Sequence, residues 1–327
     1  MFALLSLASA SHTPVIAIMS HPAMMNETET MVEVEAAGAS RDAVGLGRQY
    51  MAASYVKWLE LAGARVMPLS YHATDNEVDQ AFAQINGALF MGGGAKLPPA
   101  ARRLWSKASE ANSKGDVFPI WGSCLGFEWI MQLASDDDKI LSNGFDSENL
   151  TLPLNLTAAA AKSRILGPAA SMPVAFRSPP LSIVEALALP ITMNNHVQGV
   201  TPASFAASGG LTKNFKVLAT NRDRQGREFV SMVEGAEMPV WATQWHPEKN
   251  IFEQGAVLPS GTPYEVVQHT REAVAISQYL ATFFVEQCRK NAHRFASAAD
   301  EWGSLIYKYT TSTDYAPSFE QVYFFKY

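Results

Sequence analysis

Phe118-Pro-Ile-Trp-Gly-Ser-Cys124-Leu-Gly-Phe-Glu128 is the stretch whose reading decides this chain. Its first half is a short apolar run suited to a buried strand, and its second half opens a helix. Between them, Gly122 and Gly126 bracket Cys124 in the pattern G-x-C-x-G. This is the thiol form of a nucleophile elbow, a strained strand-to-helix turn that holds a reactive atom clear of the backbone. Glycine is expected on both flanks because a side chain would collide where strand and helix pack closely. At the first turn of a helix, free amide N–H groups and the dipole favour a thiolate over a thiol. A lone cysteine is more often a buried structural residue, so the assignment depends on partners elsewhere in the chain.

Upstream of the elbow, strands and helices alternate. Val15 to Met19 is a continuous apolar run bounded by Pro14 and by Ser20-His21-Pro22, as in a central parallel strand. Residues 23 to 48 are polar and irregular and read as a surface loop. Ala52 to Ala62 carries Tyr55, Val56 and Leu59 on one helical face, with Gly63 as its stop. Arg65 to Leu69 is the next strand, 76 to 84 a second helix, and Gly87 to Met91 a strand that runs into Gly92-Gly-Gly94. A helix over 100–114 leads to the elbow, and another follows it over 126–134. This alternation predicts a doubly wound, mostly parallel α/β sheet with helices on both faces. Ligands bind at the carboxyl ends of such strands, where both the Gly92–Gly94 loop and Cys124 fall.

From about 140 to 245 the pattern changes to short β-prone runs: 150–157, 173–176, 215–220, 228–234 and 240–244. They predict a mixed or antiparallel excursion within one domain over 11–327. A long helix is expected over 266–291, with Ile276, Leu280, Phe283 and Phe284 on its buried stripe, and an edge strand over 321–325.

The 327 residues carry 25 basic and 31 acidic side chains, a net charge of −6, with 48% hydrophobic residues. No basic cluster points to nucleic acid, and no apolar run approaches the ~20 residues of a membrane span. The first ten residues are apolar and end in Ala8-Ser9-Ala10, like a short signal peptide that lacks its charged start. Sequons at Asn26, Asn149 and Asn155 agree with a secretory route. The two cysteines, Cys124 and Cys288, leave one disulfide open as an alternative.

The elbow finds its partners in Trp241-Ala-Thr-Gln-Trp-His246-Pro-Glu248. Residues two apart at a strand end point the same way, so Glu248 can hold one nitrogen of His246 and leave the other for the thiol. That is the base and orienter of a nucleophilic triad.

Trp121-Gly-Ser-Cys-Leu-Gly-Phe-Glu128 together with Gln244-Trp-His-Pro-Glu-Lys249 resembles the class I glutamine amidotransferase-like superfamily, and within it the γ-glutamyl hydrolases. The likeness extends over about residues 14–327, through 50–66, 152–157, 215–221, 228–234 and 279–285. It implies a nucleophile at Cys124, a catalytic base at His246 and an acidic third member at Glu248. It implies an oxyanion hole from Gly93, Gly94 and Leu125, and a substrate-binding histidine at His196. The implied substrate is a folyl or antifolate poly-γ-glutamate, cleaved by thiol acyl transfer to water with no cofactor and no metal. The implied assembly is a homodimer, in an extracellular, lysosomal or vacuolar location. Arg48, Lys96, Arg102, Arg177 and Lys249 are candidate contacts for such a polyanion. Two departures stand out: Met91 occupies a frequent proline position, and Gln254-Gly255 falls where a Trp is usual. A glutaminase or a hydrolase of small γ-glutamyl amides is the nearest alternative, and a non-catalytic binding protein the next.

Overall fold

The computed structural model describes residues 13–23, 48–257, 259–313 and 319–326. The apolar leader, the Asn26 sequon and most of the loop read over 23–48 lie outside the described residues.

The main sheet has eight strands: β1 (Val15–Met19), β2 (Arg65–Leu69), β3 (Gly87–Phe90), β4 (Ile120–Ser123), β5 (Asn155–Leu156), β6 (Phe215–Arg222), β7 (Glu228–Gly235) and β8 (Val240–Thr243). Their spatial order is β2-β1-β3-β4-β8-β7-β6-β5. Pairing is parallel from β2 through β8 and antiparallel from β8 to β5. The mostly parallel sheet with an antiparallel flank is therefore present as expected.

Strand periodicity explains the two-sided burial. Val15, Ala17 and Met19 face one cluster, with Val78, Phe82, Leu104, Phe127 and Ile130. Ile16 and Ile18 face the other, with Tyr55, Val56, Leu59, Ile276, Leu280 and Phe284. A strand buried on both faces has no polar side to alternate with, hence the unbroken apolar run. The helices of the first face are α2 (Asp75–Phe82), α3 (Pro99–Ser113) and α4 (Leu125–Ser135); those of the second are α1 (Ala53–Glu60) and α5 (Arg271–Cys288).

Several boundaries differ from the sequence reading for local reasons. α5 begins at Arg271 because the Thr270 side chain accepts from the Ala273 N–H and caps it there. Residues 173–176 form no strand: Pro173 makes a single bridge to Ser182, and Phe176 has φ of +59°. Val322–Phe325 is not an edge; it lies inside a second, four-stranded sheet, between Thr311–Ser312 and Gln49–Ala52. The two cysteines are both free. The sulfur of Cys288 lies against Gly87 at the start of β3, whereas Cys124 follows the end of β4, so no disulfide joins them.

Candidate active site

The site is built where three neighbouring parallel strands end. β3 runs into Gly92–Gly94, β4 into Cys124, and β8 into the turn that carries His246. The register of β4 and β8 pairs Ser123 with Thr243, and the Cys124 N–H donates to the Thr243 carbonyl at 2.8 Å. Parallel pairing thus brings together residues that are far apart along the chain.

Cys124 has φ of +52° and ψ of −110°, a strained conformation for a residue with a side chain. Its flanking glycines follow from contact distances. A Cβ on Gly126 would lie 1.9 Å from the Phe90 carbonyl oxygen, and one on Gly122 would lie 2.5 Å from the Gly126 carbonyl. Only glycine lets helix α4 approach β3 and β4 this closely.

His246 is 4% exposed and Glu248 fully buried. The His246 Nδ1–H donates to Glu248 Oε1 at 2.7 Å. The pair is made by a tight turn from β8 into a short helix, Lys249–Phe252, and not by strand alternation as the sequence reading had it. The turn is stapled in place: the His246 N–H donates to the Met193 carbonyl (2.9 Å), and Ser277 Oγ donates to the Pro247 carbonyl (2.6 Å). A Cβ on Gly92 would lie 2.6 Å from His246 Cε1 and 3.3 Å from Cys124 Cβ, so the imidazole and the thiol flank the same point of the glycine loop. With Nδ1 committed to Glu248, Nε2 is the nitrogen left to act on a neighbour. Burial alone would lower the His246 pKa. The Glu248 carboxylate and Cys124 outweigh it, and the pKa is raised to about 10.

The amides of Gly93, Gly94 and Leu125 have no hydrogen-bond partner among the described residues. All three residues border a cavity of about 860 Å³ that also contains Cys124, Glu128 and His196. The Gly92 N–H, in contrast, is already taken: it donates to the Tyr55 hydroxyl at 2.9 Å. His196 is 4% exposed and lies on the loop between two short ribbons, 192–194 paired with 150–152 and 198–199 paired with 142–143. The carbonyl of its neighbour Asn195 is 3.7 Å from the Cys124 sulfur.

Of the basic candidates, Lys96 and Arg102 border the cavity. Lys249 is instead buried in an ion pair with Glu265, and Arg177 pairs with Glu272. Arg48 lies over the Phe324 ring, 5.9 Å from its centre.

Two residues of the site were not singled out from sequence. The Tyr55 hydroxyl lies 3.2 Å from His246 Nδ1. Burial, then the charges of Glu248 and Cys124, hold its pKa well above the ordinary value. Its only signal was a phenol on an otherwise apolar helix face, since a buried Tyr needs a polar partner. Glu128 accepts from Gln244 Nε2 at 3.1 Å, and its pKa is raised to about 7, chiefly by burial. A carboxylate one helical turn beyond the nucleophile was its signal. Among the described residues, no group of three or more His, Cys, Asp or Glu side chains could hold a metal ion. None of their helices is long and apolar enough to cross a membrane.

A buried thiol at an elbow, an imidazole–carboxylate pair and free loop amides form the apparatus of acyl transfer. Comparison with known proteins agrees with that class: the glutamine amidotransferase class-I family matches residues 47–261. Mouse γ-glutamyl hydrolase is 40% identical over 287 residues, 86% of this chain and 84% of that protein. Human γ-glutamyl hydrolase is 37% identical over 286 residues, 85% and 84% respectively. γ-Glutamyl hydrolase B of Dictyostelium discoideum is 35% identical over 323 residues, 96% of this chain and 84% of that protein. The chain belongs to the γ-glutamyl hydrolase family of class I glutamine amidotransferase proteins.

Proposed function

We propose that this protein hydrolyses γ-glutamyl bonds of folyl and antifolate poly-γ-glutamates through a Cys124 thioester, releasing glutamate or short γ-linked chains. The observation that carries the reading is the Cys124–His246–Glu248 constellation at the ends of β4 and β8, in a chain of this family.

His246 Nε2 takes the thiol proton, and the sulfur attacks the γ-carbonyl carbon. The carbonyl electron pair moves to oxygen, which the amides of Gly93, Gly94 and Leu125 stabilise. Loss of one such donor in other acyl-transfer enzymes costs ~10²–10³ in rate. The intermediate collapses as His246 protonates the departing amine. Water, deprotonated by the same imidazole, then attacks the thioester and restores the thiol. Glu248 keeps Nδ1 protonated and stabilises the imidazolium formed in each half-reaction. Glu128, within the same cavity, and His196 contact substrate.

The same reading takes residues 11–327 as one catalytic domain behind a signal leader. It gives a homodimer in the secretory pathway, bound for the extracellular space, a lysosome or a vacuole. The Ala8-Ser9-Ala10 ending and the sequons support that route.

The test is chromatography of products from a pteroyl pentaglutamate incubated with wild type and with Cys124→Ala. Shorter pteroyl chains with the wild type alone are expected. An intact pentaglutamate, with free glutamine hydrolysed instead, would replace this reading with a glutaminase.

A further inference from the structure

The cavity wall beside the thiol is held from outside the cavity. Residues 195–198 border the cavity, and the Asn195 carbonyl lies 3.7 Å from the Cys124 sulfur. A thiol is a weak donor, so this contact alone cannot fix a loop whose Asn195 side chain is exposed. A stronger hold comes from Glu265. Its Oε1 accepts from Asn195 Nδ2 at 3.1 Å, and a hydrogen bond to a charged acceptor is roughly twice as strong as a neutral one.

Glu265 is itself anchored. Lys249 Nζ donates to both of its carboxylate oxygens, at 2.6 and 2.5 Å, and only 3% of the Lys249 side chain and 16% of the Glu265 side chain are exposed. A buried ammonium keeps its partner, because separation would strand the charge. Lys249 opens the short helix directly after Glu248, so the chain of contacts begins at the turn that carries the triad acid. The backbone beside Glu265 is pinned as well. The Val266 N–H donates to Asn149 Oδ1 at 2.7 Å, and Thr151 Oγ1 donates to the Val266 carbonyl. The Asn149 N–H in turn donates to Asn195 Oδ1 at 3.0 Å. The Asn195 amide is thus tied at both its oxygen and its nitrogen, and Glu265 supplies the charged tie.

We propose that Glu265 is a positioning residue for the reaction: anchored on Lys249, its carboxylate holds Asn195, and with it the wall formed by residues 195–198, against the Cys124 sulfur. This rests on the reading of Cys124 as nucleophile. Glu265 touches neither substrate nor the reacting atoms; it sets how closely the wall stands to the thiol.

The test is a double-mutant cycle of Glu265→Ala and Asn195→Ala, read by the rate of Cys124 alkylation with iodoacetamide and by kcat and KM on a pteroyl pentaglutamate. Each single variant should alkylate roughly 10-fold faster than wild type, the effect of losing one hydrogen bond to a charged group. KM should rise more than kcat falls, because the His246–Glu248 turn keeps its own ties to Met193 and Ser277. The double variant should gain little beyond either single one, since both remove the same link. Unchanged alkylation in Glu265→Ala, or effects that simply add in the double variant, overturn the inference. Cys288, fully buried, should stay unlabelled; its labelling at the rate of Cys124 would trace the gain to opening of the whole fold and also overturn it. The cycle is repeated in Lys249→Met, where removing Glu265 strands no buried charge, so loss of folding in Glu265→Ala alone leaves the test standing. If wild type cleaves no pteroyl pentaglutamate, the poly-γ-glutamate reading fails, while the alkylation cycle still decides the role of Glu265.

Discussion

Gly126→Ala tests whether the close approach of α4 to β3 is what makes the site. The added Cβ would meet the Phe90 carbonyl oxygen at 1.9 Å and the Phe90 carbonyl carbon at 2.5 Å. Both are backbone atoms, so no side-chain rotation relieves the contact. Restoring even a tight 3.0 Å contact from 1.9 Å requires 1.1 Å of movement between helix and strand. Cys124 lies two residues before the clash on one element, and Gly92 lies two residues after it on the other. The displacement therefore falls between Cys124 and the Gly92–Gly94 loop. A misplacement of about 1 Å can cost ~10²-fold in rate, and overpacking a close contact costs about 1–3 kcal/mol of stability. Gly126→Ala should show kcat/KM on a folate polyglutamate reduced ~10²-fold, with a lower Tm by circular dichroism. Gly303→Ala, where a Cβ meets nothing within 4 Å, is the control and should match wild type in both. Wild-type turnover in Gly126→Ala would refute the claim that this contact sets the geometry.

Cys124→Ser and Cys124→Ala should abolish hydrolysis without changing the far-UV spectrum; turnover surviving in the Ala variant would remove Cys124 from the mechanism. His246→Asn should lower kcat far more than it raises KM, and a change confined to KM would make His246 a binding residue. Glu248→Gln should lower kcat roughly 10²–10⁴-fold, by analogy with neutralising the acid of a Ser-His-Asp triad. The same variant has a pH signature. The folded-state pKa of His246 is raised to about 10, above its unfolded value near 6.5. The stabilisation is thus complete below about pH 6.5 and lost as pH rises through 10. Urea unfolding should show the gap between wild type and Glu248→Gln widest near pH 6 and narrowing towards pH 10; a gap independent of pH would contradict the assigned coupling. Tyr55→Phe removes the acceptor of the Gly92 N–H and should reduce kcat with a smaller effect on KM, measured on the same substrate.

The elbow was legible because its cause is local. Strand, turn and helix follow each other without interruption; Gly122 is required by a contact inside that unit, whereas Gly126 is required by Phe90 on the neighbouring strand β3. The His246–Glu248 pairing was legible in composition but not in geometry. Its residues meet through a turn stapled to Met193 and Ser277, contacts that strand periodicity does not contain. Residues 173–176 have a β-prone composition, yet the positive φ at Phe176 ends any ladder there.

By itself the sequence determined the two-sided core: an unbroken apolar run in β1, helices placed to cover both faces, and a cysteine at a turn that only glycines permit. Tertiary structure alone decided which strand lies beside β4. Backbone pairing is nearly indifferent to side-chain identity, so β8 could join the sheet beside β4 only through packing of the whole layer. The same holds for the Tyr55 hydroxyl, which reaches Gly92 and His246 from a helix earlier in the chain, and for His196, which two short ribbons bring to the cavity that Cys124 borders. Such groups acquire their chemistry from desolvation and from neighbours distant in sequence, and those exist only once the sheet is assembled.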